Sequence, residues 1–367
     1  MDTLDIGISA VAKFYGKAFL RQLLDLQQQA RNSRADVINP DPTHPGRVFP
    51  SGGKAMYQIH LQAEGFGDFF FRTDEPIPGT PDIYVSLSSK ALWLDGGVRL
   101  LVERVCAWLT SQGFHIEGVK PSRVDVCMDF HAPGGVSQDF LDRFLCTDAH
   151  ADVQHRVHRE PTGFGIGSRS SPICVRLYDK TREIHEQSEK WWFWDVWGVE
   201  LRKDVWRLEF ELKRPFLHSV SPSIDTIDEL LARLPDIWEY LTGTYMTFRE
   251  ANGRRVARRP VLPMTGVIVR AGRALLGNAG PGTPLERKRG RKGSWEHARR
   301  DLRRLWVRAC ALLGLTDPAP AMAVLSDGLM APEERDAFER DVRQKRREYG
   351  MDAGGDAPPD ASAEGQP

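Results

Sequence analysis

The chain has 367 residues, enough for one large domain or two ordinary ones, and 41% of them are hydrophobic, which is ample for a core. Its five cysteines form no CxxC pair and no Cys/His zinc spacing, which favours a reducing cytoplasm over a disulfide framework. No apolar run approaches the ~20 residues of a membrane span, so we expect a soluble, intracellular protein. The net charge is zero, but residues 249–308 contain 17 Lys or Arg against four acids, and the C-terminal stretch after residue 317 is acidic.

The predicted elements are a mixture of strands and helices, with mostly helix after residue 213. The first is a helix over residues 8–32, whose apolar residues recur near helical spacing. Strands are predicted at 57–61, 68–72, 82–88, 122–130, 173–180 and 205–213. The remaining helices are predicted at 98–112, 137–146, 181–197, 223–250 with an interruption at Pro235, and 285–313, and a polar connection covers 147–160. This order predicts an α+β fold with a mainly antiparallel sheet, helices on one face, and a helical, basic C-terminal part.

Three of the predicted strands carry ionisable residues on one face and apolar residues on the other. Successive side chains of a strand point to opposite faces, so residues two apart share a face. The ionisable faces hold Asp125 and Asp129; Arg176, Tyr178 and Lys180; and Arg207, Glu209 and Glu211. One interpretation is a solvated sheet face on which acids and bases pair across strands.

A second interpretation is a site for chemistry on phosphate, if the three strands are neighbours. Carboxylate oxygens are the natural ligands of Mg²⁺ or Mn²⁺, and such a metal polarises a phosphoryl oxygen. A tyrosine is a poor nucleophile unless a cation lowers its pKa or a base takes its proton. Arg176, Lys180 or the metal could activate Tyr178 in this way. The combination therefore indicates nucleophilic attack on a phosphodiester by Tyr178.

Three motifs together resemble the replication initiation factor family, which contains rolling-circle initiators of small plasmids, initiators of CTX-type filamentous phages and relaxases of some conjugative elements. They are Ser-Arg-Val-Asp-Val-Cys-Met-Asp-Phe at 122–130, Gly-Ile-Gly-Ser-Arg-Ser-Ser with Val-Arg-Leu-Tyr-Asp-Lys at 165–180, and Trp-Arg-Leu-Glu-Phe-Glu-Leu-Lys-Arg at 206–214. The resemblance covers residues 120–216 and extends back towards residue 55. One departure is strand 82–88, where Tyr84 and its neighbours carry hydroxyls in place of a carboxylate of some relatives.

The resemblance implies a function and a set of site residues. A tyrosine of this family cuts one DNA strand at the origin, keeps the 5′-phosphate and leaves a 3′-hydroxyl primer for rolling-circle replication. On this chain that tyrosine is Tyr178, accompanied by the motif lysine Lys180 and by Arg176. The acidic positions, which would bind Mg²⁺ or Mn²⁺, are Asp125, Asp129, Glu209 and Glu211. Two alternatives are a relaxase acting at a transfer origin and a non-catalytic DNA-binding regulator with the same fold.

The resemblance also implies partners and a division of the chain. We expect origin DNA, host helicase and polymerase, a possible homodimer, and residence in the cytoplasm of a bacterial host. The predicted regions are an N-terminal helix and linker (1–54), a catalytic nicking domain (55–220), a helical basic DNA-binding part (221–315) and an acidic, partly disordered tail (316–367). The predicted DNA contacts are Arg169, Arg207, Arg287, Lys288, Arg289, Arg291 and Lys292. The basic stretch could equally be a solvated helix or loop.

Overall fold

The computed structural model describes residues 1–314 apart from 42–43, 76, 95, 148–151, 158–159, 169, 199–201, 252–257, 278–283 and 286–294, and also residues 338 and 340–343. The chain divides into two compact units, Met1–Arg287 and Lys288–Pro367. The predicted boundaries at residues 54, 220 and 315 remain predictions, and most of the predicted acidic tail lies outside the described residues.

The first unit is built on a large antiparallel sheet, which has eleven strands within the described residues. The strands are β1 (Thr3–Ala12), β2 (Val37–Asn39), β3 (Gly46–Val48), β4 (Ile59–Ala63), β5 (Gly67–Phe71), β6 (Ile83–Leu87), β7 (Phe114–His131), β9 (Asp152–Val157), β10 (Glu160–Ile166), β11 (Ile173–Asp179) and β12 (Val205–Lys213). Their order across the sheet is β2-β3-β4-β5-β6-β1-β7-β12-β11-β10-β9. Two further strands, β8 (Leu145–Thr147) and β13 (Met246–Phe248), pair separately.

Helices connect and cover these strands. In the first unit they are α1 (Phe14–Ser33), α2 (Ser89–Leu94), α3 (Val98–Ser111), α4 (Gln138–Phe144), α5 (Lys180–Glu183), α6 (Phe193–Trp197), α7 (Arg214–Ser219), α8 (Ile227–Tyr240) and α9 (Pro263–Leu275), with π-helical turns at Ile184–Ser188 and Leu241–Tyr245. The described part of the second unit contains α10 (Trp295–Leu313). The predicted α+β class and mainly antiparallel sheet are confirmed. No helix of the described residues is long and apolar enough to cross a membrane.

The apolar face of the sheet packs into the hydrophobic core. Val124 and Val126 of β7 and Phe210 of β12 are buried, as the two-residue alternation predicts. Helix α8 packs there, with the Trp238 ring edge-to-face against Phe210 at 5.7 Å between centroids. Burial of this face leaves the opposite face of β7, β12 and β11 for the polar residues.

In the N-terminal segment, the predicted helix 8–32 was wrong for residues 8–12, which belong to a strand. The segment begins with strand β1, which pairs with both β6 and β7 in the middle of the sheet, and the helix starts at Phe14. Leu4, Ile6 and Ile8 alternate with period two and are fully buried, a pattern that favours a strand. The segment assigned to an N-terminal helix and linker therefore supplies a central strand of the same sheet.

Two further elements differ from the sequence prediction. Pro235 does not interrupt α8, because the helix continues through it to Tyr240. The end of the predicted helix 223–250 is instead a π-helical turn and strand β13. The predicted polar connection 147–160 contains β9, which extends the sheet beyond β10.

Candidate active site on β7, β12 and β11

The three strands that carry the ionisable faces lie side by side. Strand β12 pairs with β7 on one side and with β11 on the other, each in an unbroken antiparallel register. Across this register Tyr178 lies opposite Arg207, and Arg207 lies opposite Asp129. The three strands are therefore neighbours, as a site shared between their ionisable faces requires.

The hydroxyl of Tyr178 contacts a carboxylate directly. Its Oη donates a hydrogen bond to Oε2 of Glu209 at 2.9 Å. Burial and the charge of Glu209 raise the pKa of Tyr178 above its ordinary value, although Arg207 acts in the opposite direction. The phenol is therefore neutral at neutral pH in this arrangement, with a carboxylate placed to take its proton.

Three carboxylates converge beside this tyrosine, and we call Asp125, Glu209 and Glu211 the carboxylate cluster. One guanidinium nitrogen, Nη2 of Arg176, lies 3.0 Å from Oδ2 of Asp125 and 3.7 Å from Oε2 of Glu211, and it also contacts Oε1 of Glu209. Arg123 binds the cluster from the other side. Its Nε and Nη2 lie 2.8 and 2.5 Å from the two oxygens of Asp125, and Nη2 lies 3.1 Å from Glu211.

Asp125 is the most buried member of the carboxylate cluster. Its burial, together with the nearby charge of Glu209, raises its pKa to about 6, against the hydrogen bonds of Arg123 and the charge of Arg176, which lower it. At this position the removal of the carboxylate from water acts against its two arginine partners, Arg123 and Arg176.

Asp129 belongs to a different group, which we call the buried arginine cluster: Arg207, Asp129 and Asp2. Nε and Nη2 of Arg207 bind the two oxygens of Asp129 at 2.6 and 2.8 Å, and Nη1 lies 2.7 Å from Oδ1 of Asp2. The indole of Trp197 donates a further hydrogen bond to Asp129 at 2.8 Å. Asp129 was predicted as a metal ligand together with Asp125, Glu209 and Glu211, and the structure places its carboxylate on Arg207 in this separate cluster.

Arg207 was predicted to contact DNA, and the structure contradicts this. Its side chain is fully buried. The guanidinium lies over the ring of Phe193 in α6, 4.7 Å from the centroid, so residues after Tyr178 cover it. A side chain enclosed in this way cannot reach a phosphate of a bound nucleic acid.

Lys180 lies beside the ring of Tyr178. Its Nζ is 5.8 Å from the centroid of that ring and 5.0 Å from that of Phe193, and it pairs with Glu183 at 2.5 Å. Burial, together with the charge of Arg207, lowers the pKa of Lys180. The predicted catalytic trio is therefore close together, with Arg176 at the carboxylates and Lys180 at the ring.

A fifth carboxylate on this face, that of Asp5, is not among the predicted site residues. Asp5 of β1 accepts hydrogen bonds from the hydroxyls of Tyr84 at 2.8 Å and Ser86 at 2.5 Å. It lies opposite Arg123 in the β1–β7 pairing. The hydroxyls of strand β6, which stand where some relatives carry a carboxylate, thus bind a carboxylate on the neighbouring strand. Alternation in residues 3–12 was the signal that could have revealed it.

The carboxylate cluster has the donor atoms that a divalent metal requires. Its oxygens, from Asp125, Glu209 and Glu211, are hard ligands of the kind that Mg²⁺ and Mn²⁺ prefer. They already converge on one cationic atom, Nη2 of Arg176. Among the described residues no three His, Cys, Asp or Glu side chains form a ready metal geometry. The residues therefore fit a metal in kind, with the guanidinium of Arg176 in the central position.

The other predicted DNA contacts cannot be placed. Arg169 and the basic residues of 287–292 lie outside the described residues.

Gly163 is part of β10 and lies opposite Tyr178. A methyl group built there would stand 3.0 Å from Cβ of Tyr178, so the glycine leaves the space that the tyrosine occupies.

Comparison with known proteins finds a structural likeness but no sequence match. No family model and no curated protein matches the chain. The fold is similar to the solved structure of a rolling circle replication initiator protein from Geobacillus stearothermophilus, with a TM-score of 0.43 and 15% sequence identity. The match covers 77% of this chain and 98% of that one.

Proposed function

We propose that this chain cuts one strand of DNA at a replication origin by nucleophilic attack of Tyr178. The observation that carries the proposal is the hydrogen bond of 2.9 Å from the Tyr178 hydroxyl to Glu209, a member of the carboxylate cluster. A tyrosine in contact with a proton acceptor, beside an arginine that can hold phosphate, has the parts that phosphodiester transfer needs. The three sequence motifs resemble those of rolling-circle initiators, which use this chemistry.

The reaction exchanges one phosphodiester for another. The Oη of Tyr178 bonds to the scissile phosphorus, the bond from phosphorus to the 3′-oxygen breaks, and the phenolic proton passes to Glu209. The products are a 5′-phosphotyrosine and a 3′-hydroxyl, once the leaving oxygen gains a proton. No water is consumed, so the reverse attack of a 3′-hydroxyl rejoins the strand. Host polymerase would then extend the free 3′-hydroxyl, while a host helicase separates the strands.

Asp125, Glu209 and Glu211 are the residues that would hold Mg²⁺ or Mn²⁺. When bound, the metal would supply Lewis acidity at a non-bridging phosphoryl oxygen. The arginine beside the cluster, Arg176, would contact a second non-bridging oxygen, because a guanidinium presents paired donors that match phosphate. Arg207 stays in its buried ion pairs and positions the strand that carries the tyrosine.

A covalent-adduct assay tests this proposal. The purified protein is incubated with Mn²⁺ and supercoiled DNA that carries the sequence around its own gene, and an SDS-resistant protein–DNA adduct is measured by gel shift and peptide mass spectrometry. Tyr84→Phe is the matched control, because Tyr84 also donates to a carboxylate on the same sheet face. We expect the adduct to persist in Tyr84→Phe and to disappear in Tyr178→Phe.

Two results would contradict the proposal. An adduct that persists in Tyr178→Phe would show that another residue is the nucleophile. Tight binding of the same DNA without an adduct in any variant would favour a non-catalytic DNA-binding regulator. Folding of Tyr178→Phe is checked by circular dichroism, and a small loss of stability is expected because one hydrogen bond contributes about 1 kcal/mol.

A further inference from the structure

The central position among the three carboxylates is held by the chain itself. Nη2 of Arg176 meets oxygens of Asp125, Glu209 and Glu211, the oxygens that the proposed function assigns to a metal. One set of oxygens cannot surround a guanidinium nitrogen and a divalent cation at the same time. Arg176 and a metal must therefore compete for the carboxylate cluster.

The two arginines of the site differ in how firmly they are held. Arg123 donates two hydrogen bonds to Asp125, one from Nε and one from Nη2, and each goes to a different carboxylate oxygen. Arg176 makes its contacts to all three acids through Nη2, and its side chain is 45% exposed. Release of Arg176 moves a part-solvated group into water, whereas release of Arg123 breaks a two-point pair on a buried acid. Arg176 is thus the cation that a metal can displace.

We propose that Arg176 is an exchangeable internal cation, which holds the carboxylate cluster together until a divalent metal displaces it. This inference rests on the proposed function for the identity of the incoming cation. Once displaced, the guanidinium stays on β11, two residues from Tyr178 and on the same face, where it is free to bind the phosphate that the tyrosine attacks. Binding of the metal to the carboxylate cluster would then release Arg176 for the phosphate in the same event.

The coupling predicts a measurable penalty on metal binding. When only a fraction of the molecules has a site that can accept the metal, the apparent affinity for the metal is reduced by that fraction. Removing the competing guanidinium should restore the intrinsic affinity. We expect Arg176→Gln to tighten binding of Mn²⁺ by about tenfold or more, the factor that corresponds to the competent form being about one molecule in ten.

Direct measurement of Mn²⁺ binding tests the competition without DNA. Free Mn²⁺ is followed by electron paramagnetic resonance during titration of the full-length protein. Arg182→Gln is the matched control, because Arg182 lies four residues after Tyr178 in the sequence and the change removes one positive charge from an i,i+4 ion pair with Glu186. We expect a change of less than twofold for Arg182→Gln, and loss of binding for Glu209→Gln, which reports that the titration monitors the carboxylate cluster.

A second variant covers the case in which Arg176→Gln does not fold. Arg176→Lys keeps the charge but lacks the planar fork, so we expect affinity between those of the wild type and Arg176→Gln. In the wild type, the Nε–Hε signal of Arg176 in a nitrogen-15 spectrum should move towards that of a solvated arginine on addition of Mg²⁺, while that of Arg123 stays in place.

The outcomes separate this inference from the proposed function. Unchanged or weaker Mn²⁺ binding in both Arg176 variants, or an Arg176 signal that does not respond to Mg²⁺, would overturn the exchange even if the wild type nicks DNA. Tighter binding in the variants would support it even if Tyr178 proved not to be the nucleophile, because no DNA is present in either measurement.

Discussion

Replacing Arg207 by methionine distinguishes a buried structural cation from a DNA contact. In the structure the guanidinium makes three ion-pair contacts of 2.6 to 2.8 Å to Asp129 and Asp2, and it is fully buried. Removal of one partner from a buried ion pair typically costs about 3–5 kcal/mol, because the remaining charges stay out of water. Arg207→Met should therefore lower the free energy of unfolding by about that amount.

Urea denaturation at neutral pH measures the effect. The control is Arg182→Met, which breaks an exposed helical pair and should cost only about 0.3–0.5 kcal/mol. Asp129→Asn removes one of the charges that Arg207 leaves behind. In a double-mutant cycle, Arg207→Met and Asp129→Asn together should cost less than the sum of the single changes, by about 0.5–3 kcal/mol.

The opposite pattern would refute the buried placement. A DNA contact at the surface predicts wild-type stability, weaker DNA binding and a smaller salt dependence of the binding constant. If Arg207→Met showed those three properties and no coupling to Asp129→Asn, the arginine would face the nucleic acid as the sequence suggested.

Two further predictions concern Asp125 and the space beside Tyr178. In the folded protein Asp125 has a pKa of about 6, above its ordinary value of 3.8. Between about pH 4 and 6 the folded state therefore binds a proton that the unfolded state has lost, and the free energy of unfolding falls as the pH rises through that window. Relative to Asp125→Asn, the wild type should lose on the order of 2–3 kcal/mol of unfolding free energy between pH 4 and 7, and a pH-independent difference in denaturation would contradict the raised pKa. Gly163→Val should displace Tyr178, because a Cβ there already stands 3.0 Å from the tyrosine Cβ; we expect loss of the covalent adduct and a cost of about 1–3 kcal/mol from overpacking. The control is Gly118→Val, because a side chain at Gly118 of β7 would enter open space. Equal effects of the two substitutions would show that the space at Gly163 has no specific role in positioning Tyr178.

The central part of the site could be predicted from the sequence because it depends on a short-range rule. Alternation within a strand assigns Glu209 and Glu211 to one face whatever the rest of the fold does. Strands β7, β12 and β11 are regular where they pair, so the rule holds along their paired length. It therefore placed Tyr178 and the acids of β12 on one surface correctly.

The rest of the site depends on contacts that a local rule does not contain. Asp5 meets Tyr84, 79 residues later, only because β1 inserts between β6 and β7. Arg176 and Arg207 occupy equivalent faces of neighbouring strands, yet one is partly exposed and the other fully buried. The difference arises from the segment after Tyr178, whose Phe193 covers Arg207. Strand parity gives the face of a side chain and says nothing about what packs over that face.

Register explains why the predicted acids form two clusters and how Tyr178 is held between them. Asp125 and Asp129 are four residues apart on β7, a separation of about 13 Å at the rise of a strand. The backbone of Tyr178 lies in line with Arg207 and Asp129, in the buried arginine cluster. Its hydroxyl instead reaches Glu209, which belongs to the carboxylate cluster. The buried ion pairs therefore anchor the strand at the base of the tyrosine, and the ring spans from that rigid point to the acids where chemistry would occur. Weakening Arg207 should consequently misplace the hydroxyl without altering a single ligand of the proposed metal.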